Sequence, residues 1–124
     1  MQTPPELPQT VEVPLASLVE LAVEWWRLDR WANGPHPDGR AAHARHVARR
    51  LARFLDERGL SVLDFAGRPH EPGLAVEVLD VVTDARLPPG SELIDETISP
   101  VVLFRGRVVR HGQVIVRKAV DSSQ

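Results

Sequence analysis

A change of hydrophobic period at Gly59 constrains this chain more than any other feature. Before it, apolar residues recur every three or four positions, the spacing of one helix face. After it, short valine-rich runs are cut by Pro and Gly, the punctuation of short strands. Helices first and strands afterwards predict an α+β chain with the two halves segregated.

The helical half reads as two elements. Pro14 suits a first helical position, where a missing N–H costs nothing. From Leu15, one stripe runs through Leu18, Leu21, Trp25 and Leu28, and a second through Val19, Val23 and Trp26. Asn33-Gly34-Pro35 and Pro37-Asp38-Gly39 end the helix and form a loop. A second helix is predicted from about Arg40 to Arg58, with Ala44, Val47, Ala48, Leu51, Phe54 and Leu55 as its apolar face. Gly59 closes it. Together they make an antiparallel αα-hairpin. Adjacent residues on a helix point about 100° apart, so one neighbouring helix is not expected to cover both Trp25 and Trp26. That width predicts a homodimeric four-helix bundle, with Leu18, Leu21, Trp25, Trp26, Leu28, Leu51 and Phe54 at the dimer contact.

The second half predicts five or six strands in a compact sheet or small barrel. SVLDF (61–65) is the first strand and LAVEVLDVV (74–82) the next. Leu87-Pro88-Pro89-Gly90 is a turn, and ELIDETIS (92–99) a third strand. Pro100 is expected at an edge or bulge. VVLF and RVVR flank a tight turn at Arg105-Gly106. His111-Gly112 breaks the chain again before QVIVRKA. The predicted organisation is a disordered tail (1–13), a dimerising helical hairpin (14–59), a small β domain (60–119) and a C-terminal tail (120–124).

Composition narrows the function. The chain has 124 residues and a net charge of -2, so nothing draws it globally to nucleic acid or membrane. No run approaches the roughly 18 apolar residues of a membrane span. The N-terminus lacks the apolar core of a signal peptide, so a cytoplasmic protein is expected. The absence of cysteine removes disulfides, zinc–thiolate sites and thiol nucleophiles. Charge is uneven: residues 40–58 carry a net +4, residues 71–96 a net -6 and residues 105–118 a net +5.

No catalytic constellation emerges, and an enzyme is not expected. His43 and His46 are three apart on a helix, but no nearby acid or cysteine completes a metal set. His36, His70 and His111 sit in turns without ligand spacing. Asp95 and Glu96 are adjacent, so on a strand they face opposite sides and cannot pair as acid and base. Ser61, Ser91 and Ser99 lie in no nucleophile motif. No cofactor is implied. Nucleic acid is an unlikely partner: the Arg-rich helix must bury its apolar face, and no tyrosine and three Phe leave few stacking platforms.

The order of motifs resembles the GrpE family, the nucleotide exchange factors of DnaK-type chaperones. FLDERGL precedes Gly67-Arg68-Pro69-His70-Glu71-Pro72-Gly73, where the family carries G-x-P-F-D-P-N. Pro88-Pro89-Gly90 matches the family's Pro-Gly turn. Leu103-Phe104-Arg105-Gly106-Arg107-Val108-Val109-Arg110 is similar to L-L-N-G-R-V-L-R, and Val114 to Ala119 to the last strand. The likeness spans residues 15 to 119. Val101-Val102 replaces the family's Gly-Tyr, Ala75 its histidine, and His111-Gly112 its Pro-Ala; the long N-terminal coiled-coil stalk has no counterpart before Pro14.

The resemblance implies a small head-like β domain on a dimeric helical hairpin, acting as a co-chaperone. It implies that the β domain binds the ATPase domain of a DnaK-type chaperone and promotes ADP release. It places the chaperone contact at the terminal hairpin, on Arg105, Arg107, Arg110 and Val116; Val116 is equally open to plain strand packing. The alternative is a dimeric scaffold that keeps the fold without exchange activity.

Overall fold

The computed structural model describes residues 6–35 and 39–120. Two helices, α1 (Leu15–Ala32) and α2 (Arg40–Glu57), lead into six strands. These are β1 (Leu60–Leu63), β2 (Val76–Asp84), β3 (Glu92–Ser99), β4 (Val101–Phe104), β5 (Arg107–Arg110) and β6 (Gly112–Ala119). The chain is α+β, as its order of periods predicts. Residues 6–14 have no regular structure, and Leu7, Val11 and Val13 are exposed. The expected tails lie partly outside the described residues, and so does His36.

Local chemistry explains the helices. No Gly or Pro interrupts either one. Pro14 is the N-cap of α1, and its carbonyl accepts from the Ser17 N–H at 3.0 Å. At the other end, the Asn33 backbone and side-chain N–H groups both donate to the Asp29 carbonyl, at 3.0 and 2.8 Å. Arg45 Nη1 donates to the Ala32 carbonyl at 3.2 Å, so α2 supplies a cation to the C-terminal end of α1. Gly59, at φ 83°, lies just past the end of α2, where the left-handed region suits glycine.

The strands form two three-stranded sheets rather than one. Sheet 1 has the order β1-β4-β5 and is antiparallel throughout. Sheet 2 has the order β2-β6-β3, with β2 parallel and β3 antiparallel to the central β6. The chain crosses between them three times, first through residues 64–75 between β1 and β2. Pro100 joins β3 to β4, and His111 joins β5 to β6. Pro100 is therefore buried at a crossover and is not on the edge that its ring alone suggests. The first strand is shorter than SVLDF because the chain leaves the sheet at Asp64, whose carboxylate accepts the Thr97 hydroxyl at 2.6 Å and the Ala66 N–H at 3.0 Å. The second runs to Asp84, two residues beyond expectation, because β6 pairs with it to Ala119.

One core joins helices and sheet 1. Val19, Ala22 and Val23 of α1 and Leu55 of α2 pack with Leu60 and Val102, supported by Leu18, Leu21, Trp25, Val62 and Phe104. Ile94, Val114 and Val116 centre the second core, under Phe65, Leu74 and Val76. The two tryptophans are covered unequally within one copy. Trp25 Nε1 donates to the Ala48 carbonyl at 2.8 Å, which the small Ala48 side chain leaves accessible on α2. Trp26 is buried, and Arg30 stacks 4.7 Å from its ring centre while donating to the Thr97 carbonyl on β3 at 2.9 Å. Trp26 is therefore buried within a single copy and is not free for the expected dimer contact, whereas Trp25 is only partly covered, by α2.

The second and third crossovers meet at Gly112. A Cβ there would lie 3.0 Å from the Ser99 carbonyl oxygen and 3.1 Å from the Val101 backbone nitrogen. Its own N–H donates to the Ala75 carbonyl at 2.9 Å. Backbone cannot retreat as a flexible side chain can, so Gly112→Ala should destabilise the fold by about 1–3 kcal/mol. Urea unfolding measures this; an unchanged midpoint would show that the crossovers can separate freely.

Candidate functional site

The β4–β5 hairpin gathers the cations that the sequence singles out. Its two central residues are Arg105 at φ 51° and Gly106 at φ 79°, both left-handed, as the twist of a two-residue hairpin demands. Gly106 adopts this freely. For Arg105 the conformation costs about 1–2 kcal/mol. Neighbouring contacts hold it: the Arg105 N–H donates to the Gly59 carbonyl at 2.8 Å, and the guanidinium stacks 4.8 Å from the Phe104 ring centre. The hairpin tip is thereby fixed to the end of α2. Arg107 and Arg110 stand exposed on β5, with no acidic partner among the described residues.

Arg58 lies 3.7 Å from the Phe54 ring centre, and its Nη1 donates to the Phe54 carbonyl at 2.9 Å. Phe54 is thus partly covered by its own chain and remains 38% exposed. An Arg four positions after a Phe on a helix lies over it, so this contact follows from the spacing alone.

Val116 does not belong to this surface. It is 2% exposed, at the centre of the core of sheet 2, and no partner could touch it in the folded chain. Strand packing is its role, because β6 is the central strand and alternate residues must face inward.

The basic stretch at 105–118 is not one patch either. Arg117 grips Asp95 through two bonds, Nε to Oδ1 at 3.0 Å and Nη2 to Oδ2 at 3.2 Å, and reaches Asp84 at 3.3 Å. Lys118 lies 3.8 Å from Glu92. These pairs cross between strands of sheet 2, so they fasten β6 to both neighbours. Asp95 can reach Arg117 because a β-bulge interrupts β3 between Ile94 and Glu96. The hairpin arginines remain as the unpaired cations.

A cleft of about 500 Å³ opens between α1, α2 and β1. Ala22, Trp25, Ala52, Leu55, Leu60 and Val62 make it largely apolar, with Arg53 and Asp56 at its lining. His43 and His46 are exposed on α2, and no group of three or more potential metal ligands occurs among the described residues. Among the described residues, no helix is long and apolar enough to cross a membrane. No protein-family model matches the chain, and no curated protein matches its sequence.

Two carboxylates of sheet 2 tie stability to pH. Hydrogen bonds from the Arg86 side chain and backbone, helped by the charge of Arg117, hold Asp84 below its ordinary 3.8. The hydrogen bond with His70 Nδ1, 3.0 Å away, and the nearby Lys118 hold Glu92 below its ordinary 4.5. A carboxylate lowered in the folded state binds its proton more readily when unfolded. Its stabilisation is therefore complete above the ordinary value and is lost as pH falls through the folded one. Asp84→Asn and Glu92→Gln should each flatten the decline of the urea midpoint between about pH 5 and pH 2. An unchanged acid limb in both variants would remove these groups from the acid response.

Proposed function

We propose that this chain is a GrpE-like co-chaperone that binds the ATPase domain of a DnaK-type chaperone and promotes ADP release. One observation carries the reading: the hairpin that resembles the family's chaperone-facing element presents Arg105, Arg107 and Arg110 on a rigid tip, with Arg107 and Arg110 unpaired. Unpaired cations fixed in place suit a docking surface, since little ordering remains to be lost on binding. Exchange then needs no catalytic group. A partner that binds only the open nucleotide cleft weakens ADP affinity by the same coupling free energy.

The finer architecture belongs to the same proposal. The helices would form a four-helix bundle with a second copy through Leu18, Leu21, Trp25, Leu28, Leu51 and Phe54, all of them partly or wholly exposed in a single copy. Trp26, buried in a single copy, is left out of that contact. The burial of Val116 favours a second reading, because it removes one of the two hairpin contacts that the resemblance places most directly. In that reading the chain is a dimeric scaffold of the same fold that no longer drives exchange.

Stopped-flow release of fluorescent ADP from the chaperone encoded nearest this gene separates the two. The exchange factor should accelerate release. Arg107→Ala should weaken the complex by about 2 kcal/mol or more if the charge pair is desolvated, without lowering the unfolding midpoint. No acceleration and no complex at saturating protein would leave the scaffold.

A further inference from the structure

Among the described residues, β2 in sheet 2 and β5 in sheet 1 are edge strands that pair on one side only. In sheet 2, the edge of β3 is masked by residues 67–70: the Ile94 N–H donates to the Arg68 carbonyl at 2.9 Å, the Gly67 N–H to the Ile94 carbonyl at 2.8 Å and the His70 N–H to the Glu92 carbonyl at 2.9 Å. β2, the opposite edge, pairs with β6 alone, and Val78, Leu79, Val81 and Val82 are all more than a third exposed. In sheet 1, the edge of β1 adjoins the helices. The edge of β5 is open, and all four of its residues are exposed. An uncovered edge with exposed apolar side chains is a template for another strand.

The two open edges carry matching patterns of opposite sign. β2 contains Glu77-Val78-Leu79-Asp80, an acid, two apolar residues and an acid. β5 is Arg107-Val108-Val109-Arg110, a base, two apolar residues and a base. The charges are three positions apart in both, so alignment in either direction sets each Arg against an acid. Each strand also holds one extra residue against its own neighbour, Leu79 in β2 and Val109 in β5. Glu77 and Asp80 have no basic partner, and Arg107 and Arg110 no acidic one, among the described residues. Like edges repel: β2 against β2 opposes acids, and β5 against β5 opposes arginines. The charge pattern thus selects the unlike pair and rejects both like pairs.

We propose that the occupant of the β2 edge is the β5 strand of a second copy of this chain, with Arg107 and Arg110 set against Glu77 and Asp80. The contact joins two different surfaces. It closes when the reciprocal pair forms at the same time, and otherwise it extends as a concentration-dependent series. It does not rest on the chaperone reading and uses a surface separate from the helical bundle. A four-residue pairing is weak and electrostatic, so it strengthens as salt is lowered.

Sedimentation equilibrium of the whole chain tests it, with the variants E77R/D80R and R107E/R110E. All four positions are exposed, so both variants should keep the wild-type circular dichroism. The wild type should associate in low salt and lose this association at ~1 M salt, where the screening length is about 3 Å. Each variant alone should associate about tenfold or more weakly. An equimolar mixture should recover the wild-type strength, because the basic β2 of one variant then meets the acidic β5 of the other. A bundle through the helices would be unmoved by either reversal. Equal masses for the wild type and both variants would overturn the proposal, leaving β2 to solvent or to a strand of another protein. Weakened variants that fail to recover on mixing would overturn it equally.

Discussion

The close passage of Gly112 against Ser99 and Val101 is the constraint on which the β half depends. Two short sheets cannot be built from a simple meander; the chain must leave one and enter the other, and here it does so three times, two of them side by side in space. Pro100 makes the outward step and His111 the return. Both steps occupy the same place because Gly112 has no side chain to hold them apart. The buried Val101 and Val102 follow at once, and Val102 pairs with β1 as it enters the core beneath the helices. If the crossovers were moved apart, β4 would lose its register with β1, and sheet 1 its place under α1.

Helices and sheets are consequently not independent. α1 touches sheet 1 through Val19, Ala22 and Val23, and it reaches β3 through Arg30 and the Thr97 carbonyl. The same Thr97 hydroxyl donates to Asp64 at the exit of β1. One residue of β3 thus ties a helix, a loop and both sheets. Its own burial is satisfied by these bonds, whereas its neighbour Ser99 keeps an unpartnered hydroxyl oxygen beside the crossover.

Charge is sorted by the same architecture. The central strand β6 carries Arg117 and Lys118 between two acid-bearing neighbours, so both cations are used to hold the sheet. β5 has β4 on one side only, and β4 offers no acid. Its arginines therefore stay available to a partner. Central position against edge position, rather than residue type, separates the cations paired within a sheet from those left without an acid here.

Much of this was legible in the chain itself. The period change at Gly59, the two helices, the turn at Arg105-Gly106 and the strands 92–99 and 101–104 follow from local spacing and from backbone preferences, which act over a few residues. The exposure of Arg107 follows from the same local turn. What the sequence could not determine is what lies opposite what. Strand pairing is set by residues far apart in the chain, so the division into two sheets, the parallel pairing of β2 with β6 and the burial of Pro100 and Val116 are decisions of the tertiary structure. The same holds for charge: Arg107 and Arg117 read alike in sequence, and only the acids brought beside Arg117 by β2 and β3 distinguish them. The tryptophans give the plainest case. Their 100° divergence is a local property and correctly calls for two neighbours, but whether the second is another copy or the chain's own structure depends on where the chain returns after Gly59.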